Sequence, residues 1–261
     1  NNRYDQEYIQ YFTGLKGVQW ISSICETFRE DDGTQPVRYQ PSRPELLIAP
    51  SRDVNPIVAN EVIAAMSKRG SYAYEMLSSL WSYAGLSSGG TDDSRSTVHA
   101  EASPETSKLT AAHTFPQHTV VKHIRDLYPH FKYTDLASHP AVIVLPYQLS
   151  FMLFFELYFM NVPMFVPSPS LLTTWHMRHN LLKERTWDSV YGHPEQSSVL
   201  PRHPQSPATS SLDPNNEFDR QAILEWVSLA DFYQFPHVVM FESVEDLVVK
   251  VAETNLTEVS A

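Results

Sequence analysis

The longest apolar passage in the chain runs from His139 to Ser168, HPAVIVLPYQLSFMLFFELYFMNVPMFVPS, and holds one carboxylate, Glu156, near its middle. Its own punctuation divides it. Ala141 to Leu145 is a β-branched apolar run suited to a strand buried on both faces, and Pro146 ends it. Gln148 to Met160 suits a buried helix. Asn161-Val162-Pro163 stops that helix, because asparagine tolerates the left-handed position and proline cannot continue the turn. Met164 to Val166 is a further short strand, followed by the loop Pro167–Ser170 and a helix from Leu171 to about Lys183.

The same alternation extends to both sides. Glu45 to Ala49 reads as a short buried strand bounded by turn formers. Asn55 is a good N-cap with Pro56 at the first helical position, which predicts a helix from Ile57 to Lys68. Helices are also expected over Tyr72–Tyr83, Thr119–Tyr128 and Phe218–Val227, and a strand over His237–Phe241. Ser243, with Asp246 three residues on, forms a capping-box arrangement for a last helix, whose buried face is Val244, Leu247, Val248 and Val251. The segment TGLKGVQWISSICETF within residues 1–30 has a poor period and reads either as a helix or as a stretch lying across a domain surface. Strands alternating with helices predict an α/β fold, a Rossmann-like parallel sheet flanked by helices. The expected division is an N-terminal segment 1–44, a domain 45–254 and a tail 255–261.

Composition marks two breaks in this pattern. Residues 85–117 are rich in Ser, Thr, Ala and Gly and read as a disordered insertion or a mobile lid; residues 192–215 are a Pro/Ser/His-rich loop. The chain has 30 acidic against 19 basic residues, a formal charge of −11, which argues against general nucleic-acid binding. The single cysteine, Cys25, excludes an intrachain disulfide framework and a thiolate metal cluster. Asn255-Leu256-Thr257 is a glycosylation sequon, meaningful only in a secretory compartment. A start at Asn1 without a signal peptide reads as a fragment or a processed segment. Ala141–Val166 is long enough to tempt a transmembrane assignment. Its central Glu156 would cost about 2.5–3.5 kcal/mol there, however, and Pro146 and Pro163 would free backbone groups in hydrocarbon.

In an open parallel sheet, ligands sit beyond the carboxyl ends of the strands. Pro146-Tyr147-Gln148-Leu149-Ser150 lies at such an end, and Glu156 follows on the helix, where an acid can accept both hydroxyls of a ribose. This segment resembles the nucleotide-sugar site of GT-B glycosyltransferases. That family has a Pro-Ser loop, a helix with two glutamates eight apart, and a Gly-x-Pro turn into a strand. Pro146 falls at the loop proline, Glu156 at the second glutamate seven residues before Pro163, and Asn161 at the glycine. Gln148 stands where the family has its first glutamate, so a charged role there is lost. On the flanks, Leu46–Ala49 is similar to the first strand of the donor-binding domain, and YTDLASH (133–139) to the approach to the donor strand. FPHVVMFESVEDLVVKV, from Phe235, is similar to the closing strand and helix.

The resemblance implies the donor-binding domain of a nucleotide-sugar-dependent glycosyltransferase. It gives Glu156 the donor ribose, Arg52 and the backbone at Leu149 and Ser150 the pyrophosphate, and Gln148 the sugar. Tyr147, the Ser150 side chain and His139 are further candidate donor contacts. It implies no metal and no cofactor beyond the donor, a glycan or other acceptor as partner, and a Golgi or ER lumen or cytoplasmic setting with a lean to the lumen. Any membrane attachment would come through an anchor outside the chain. The catalytic base is unassigned, because inverting members draw it from an N-terminal domain and residues 1–44 are too short for one. The alternatives are a non-catalytic nucleotide- or partner-binding module of the same fold and a membrane-associated protein built on 141–166. Read as residues alone, Glu156 is equally a buried structural acid, Arg52 an ion-paired loop arginine, Ser150 and Tyr147 cap and cover for the helix, and His139 a satisfied core histidine. His176 and His179, three apart, have the spacing of metal ligands but no evident third partner. Asp231 and Tyr233 either line the cleft or join an aromatic core.

Overall fold

A computed structural model describes residues 2–21, 35–49, 56–68, 120–191 and 197–260. Five strands form one all-parallel sheet: β1 (Leu46–Ala49), β2 (Val121–His123), β3 (Val142–Val144), β4 (Met164–Pro167) and β5 (Val238–Phe241), in the spatial order β2-β1-β3-β4-β5. Every residue of β1, β3 and β4 is buried. That explains why these strands read as continuous apolar runs and not as alternating ones.

The helices described are α1 (Arg3–Thr13), α2 (residues 56–68), α3 (Ile124–Leu127), α4 (Tyr133–Ala137), α5 (Met152–Phe159), α6 (Pro169–His179), α7 (Trp187–Val190), α8 (Arg220–Val227), α9 (Val244–Glu253) and α10 (Leu256–Val259). The chain steps from β1 to β2 in one direction, and from β3 through β4 to β5 in the other. By the right-handed rule for parallel crossovers, α2 and α5 are expected on opposite faces of the sheet. The reversal lies between β1 and β3, so the topological switch point is at their carboxyl ends.

Local chemistry accounts for the boundaries. Asn161 has φ +62°, the left-handed conformation expected of it after α5, and Pro163 leads into β4. Ser168 caps α6 by accepting from the Leu171 amide at 3.3 Å, with Pro169 at the first helical position. Asn180, at φ +49°, ends that helix before the expected Lys183. Ser243 accepts from the Asp246 amide at 3.1 Å, while the Asp246 carboxylate turns back to the Glu242 amide at 2.8 Å.

Two further expectations change. The helix expected over Thr119–Tyr128 is instead strand β2 followed by the single turn α3, because the β-branched residues beginning at Val120 hydrogen-bond alongside β1. Gln148–Ser150 is not helical, and α5 begins only at Met152. Helix α1 lies at residues 3–13 and ends at Gly14 with φ +68°; of the apolar segment that follows, residues 14–21 carry no helix or strand and residues 22–28 lie outside the described residues. A β-carbon at Gly14 would also collide with the His203 ring. The helix expected at 72–83, the insertion 85–117 and residues 192–196 lie outside the described residues. Residues 197–215 carry no helix or strand.

α1 packs on the C-terminal half of the chain. Trp226 of α8 is fully buried and meets the rings of Tyr4, Tyr8 and Tyr11 edge-on at 5.5, 6.4 and 5.8 Å. Glu7 accepts from the Thr209 amide at 2.6 Å and its hydroxyl at 3.0 Å, a second clasp on the same helix.

Candidate functional site

The loop between β3 and α5 starts where the sheet ends: the Leu145 amide donates to the Ala49 carbonyl at 2.8 Å, joining the carboxyl ends of β1 and β3 at the switch point. Beyond it the loop is held from the C-terminal half. The Tyr147 carbonyl accepts from the Glu184 amide at 3.3 Å, and the Leu149 carbonyl from the Asp231 amide at 3.1 Å. Ser150 hydrogen-bonds the buried Asp231 carboxylate, which also accepts from the Asn2 side chain at 3.4 Å. Burial pushes the Asp231 carboxyl up, against the pull of those two bonds. Tyr147 and Ser150 thus fix the loop in place.

On α5, Phe154, Phe155 and Leu157 are buried, and Phe154 packs edge-on against Phe232 and Phe235. Glu156 falls on the outer stripe of the helix, one turn after the exposed Met152, and is half-buried. Its Oε1 accepts from the Tyr133 hydroxyl at 3.1 Å, its one hydrogen-bonding side chain among the described residues. Burial raises its carboxyl above the ordinary value; the Tyr133 hydroxyl opposes the shift. Tyr133 opens α4, so Glu156 faces the α4 flank of α5.

Gln148 is elsewhere. It lines a pocket of about 480 Å³ with Tyr4, Asp5, Tyr8, Glu184, Arg185 and Asn215. Arg185 in its wall makes three hydrogen bonds: Nε donates to Glu217 at 3.2 Å, and its terminal nitrogens to the Pro214 and Asn216 carbonyls at 2.8 and 2.7 Å. Glu217 also accepts from His176 Nε2 at 2.8 Å, Thr186 at 2.8 Å and Ser189 at 2.6 Å. Burial works to raise the Glu217 carboxyl, but the His176 bond, the Arg185 charge and the Ser189 bond outweigh it and hold it at about 2.

The sequence candidates therefore separate into groups. Tyr147, Gln148, Leu149 and Ser150 share one loop at the carboxyl edge, with Glu156 on the helix that follows. Arg52 lies outside the described residues. His139 does not join them. It is fully buried just ahead of β3, at the amino edge of the sheet. Its Nε2 pairs with the Tyr128 hydroxyl and its Nδ1 with the Glu45 carbonyl, each at 2.8 Å. That is the satisfied core histidine of the two readings, and burial lowers its affinity for a proton. His176 is engaged on both ring nitrogens, by Glu217 and by the Leu182 amide at 3.3 Å. No group of three potential metal ligands occurs among the described residues. No described helix is long and apolar enough to cross a membrane. Tyr233 donates to the Pro167 carbonyl at 2.6 Å, a strut between β4 and the segment before β5.

Sequence reading passed over Tyr4, Asp5, Tyr8, Arg185 and Glu217. The first three had a signal in tyrosines at positions 4, 8 and 11 behind an asparagine cap, a helical stripe. Arg185 and Glu217 meet across a Pro-rich loop, and no periodicity links them. Compared with protein-family models, curated proteins and solved structures, the chain matches none.

Proposed function

We propose that the chain binds a nucleoside-diphosphate sugar at the carboxyl edge of the sheet, as the donor-binding domain of a GT-B-type glycosyltransferase. One observation carries the reading. In the β3–α5–β4 unit, Glu156 lies on the outer stripe of α5 and Asn161 adopts a left-handed backbone, at the spacing of the family's ribose-binding glutamate and turn glycine. The unit also borders the switch point, where α/β sheets of this order bind ligands. The nucleotide would extend along the loop, its ribose at Glu156 on the α4 flank and its sugar toward Gln148 on the α1 flank. The backbone at Leu149 and Ser150, with Arg52 from the β1–α2 connection, would stabilise the departing diphosphate.

A binding module without turnover is favoured by one feature, the amide of Gln148 where the family carries a carboxylate. Thermal denaturation with UDP, GDP, ADP, CDP and dTDP, on the wild type and Glu156→Gln, tests nucleotide binding. The expected result is a rise in Tm with one nucleotide that is largely lost in the variant; no rise with any of them overturns the reading. Sugar release or transfer from the matching radiolabelled nucleotide sugar then separates transferase from binding module.

A further inference from the structure

The triplet Asn255-Leu256-Thr257 has no part in the nucleotide reading, and it is the one Asn-x-Ser/Thr sequon in the chain. Its place in the fold separates Asn255 from other asparagines. Asn2 caps α1 by accepting from the Asp5 amide at 2.8 Å. Asn216 accepts from the Phe218 and Asp219 amides at 2.8 and 2.9 Å, and Asn215 is bonded to Tyr8 and Ser198. Asn255 also stands at a helix N-cap, that of α10, with an extended backbone, and its carboxamide makes no capping bond. An N-cap asparagine ordinarily accepts from an amide two or three residues on. Here only the backbone carbonyl of Asn255 accepts, from the Glu258 and Val259 amides at 3.1 Å each. Asn255 and Thr257 are both exposed.

An amide nitrogen is a poor nucleophile, because its lone pair is delocalised into the carbonyl. To react, the carboxamide must turn out of that conjugation, which one held in a hydrogen-bond network cannot do. Asn255 has the freedom. The helix behind it gives way easily too: α10 has four residues and none is buried, so it can open around the sequon while Val244, Leu247 and Val251 keep α9 in place. We propose that Asn255 is a site of N-linked glycosylation. Its amide nitrogen takes C1 of an oligosaccharide from a lipid-diphosphate carrier. The C1–N bond forms, the C1–O bond to phosphate breaks, the amide gives up one proton to the transferring enzyme, and the lipid diphosphate leaves. The modification commits the chain to a secretory compartment. It also fits the architecture. α9 starts beyond the carboxyl end of β5 and returns along the sheet for ten residues, on the order of 15 Å. Beyond it, Val259 and Ser260 line a small cavity with Met164, the first residue of β4, and His237, which precedes β5. A glycan on Asn255 therefore projects from the amino edge and leaves the loop 146–150 open. The proposal does not depend on nucleotide binding, so either can fail alone.

The test uses the full-length protein isolated from the cells that make it. It is denatured and treated with peptide N-glycosidase in ¹⁸O-water, then read by gel mobility and peptide mass spectrometry. The expected result is a fall in apparent mass, with position 255 recovered as aspartate carrying ¹⁸O. In the same cells, Asn255→Gln and Thr257→Ala should each abolish the mobility shift, and Thr257→Ser, which keeps the hydroxyl, should retain it. Because the shift is read on denatured chains, a variant that folds poorly still reports whether the glycan is attached. An unmodified Asn255 in the native protein overturns the proposal. So does a shift that survives Asn255→Gln, or one that Thr257→Ser removes as fully as Thr257→Ala.

Discussion

Two regions of this molecule each bury a glutamate, and the glutamates are treated in opposite ways. Between α6 and α8, Glu217 accepts from a histidine, an arginine and two hydroxyls, and its carboxyl is held at about 2. On α5, Glu156 has one tyrosine hydroxyl and a carboxyl that burial pushes upward. A carboxylate that surrounding donors saturate has no lone pairs left for a ligand, so its work is structural. One left with a single donor keeps acceptor capacity, and hydroxyls of a ligand can use it. The contrast teaches that burial of an acid does not mark a site; the balance between burial and donors does.

The comparison breaks first at Glu217. Glu217→Ala leaves the Arg185 charge buried without its partner, and the expected loss is about 3–5 kcal/mol. In a chain of this size that lowers Tm by roughly 6–20 °C, which thermal denaturation reads directly. A fall under about 1 kcal/mol would show that the network contributes little to folding.

Acid titration of stability sharpens it. The Glu217 carboxyl lies at about 2 in the folded chain against 4.5 ordinarily. Its contribution is present above pH 4.5 and is lost as pH falls toward 2, a loss on the order of 3 kcal/mol. Glu156 is shifted the other way, so it takes stability away as pH rises through its ordinary value toward its raised one. Urea denaturation across pH 2–7 should therefore show a steep acid loss that Glu217→Gln flattens. Glu156→Gln should instead raise stability relative to wild type at the upper end of the range.

Asn161 probes the backbone of the unit that carries Glu156. At φ +62°, Asn161→Ala is expected to cost about 1–2 kcal/mol, whereas Asn161→Gly should stay within about 0.5 kcal/mol of wild type. Equal losses in the two variants would mean that the asparagine side chain, and not the backbone, matters there. Glu156→Gln at neutral pH is expected to raise stability by no more than about 1 kcal/mol, because no charge partner is stranded.

Much of the fold was legible in local pattern. β1, β3, β4 and β5, the stop at Asn161 and the cap at Ser243 follow from apolar runs and turn chemistry within a few residues of each element. β2 was not, because Val121-Lys122-His123 is too short to show a period and only its pairing with β1 makes it a strand. In the site, the sequence pointed to the loop 146–150 and to Glu156. It could not show that His139 is satisfied at the opposite edge, since its partners Tyr128 and the Glu45 carbonyl are long-range contacts. Nor could it show that α1 folds back onto Trp226 to bring Tyr4, Asp5 and Tyr8 beside Gln148.

The central claim is that Glu156 holds a ribose, and isothermal titration with a matched pair of ligands tests it most directly. The nucleoside diphosphate that stabilises the chain is compared with its 2′,3′-dideoxy counterpart, on wild type and Glu156→Gln. The expected result is about a tenfold preference for the ribose form in the wild type, abolished in the variant. Equal affinity for the two nucleotides in the wild type would contradict it.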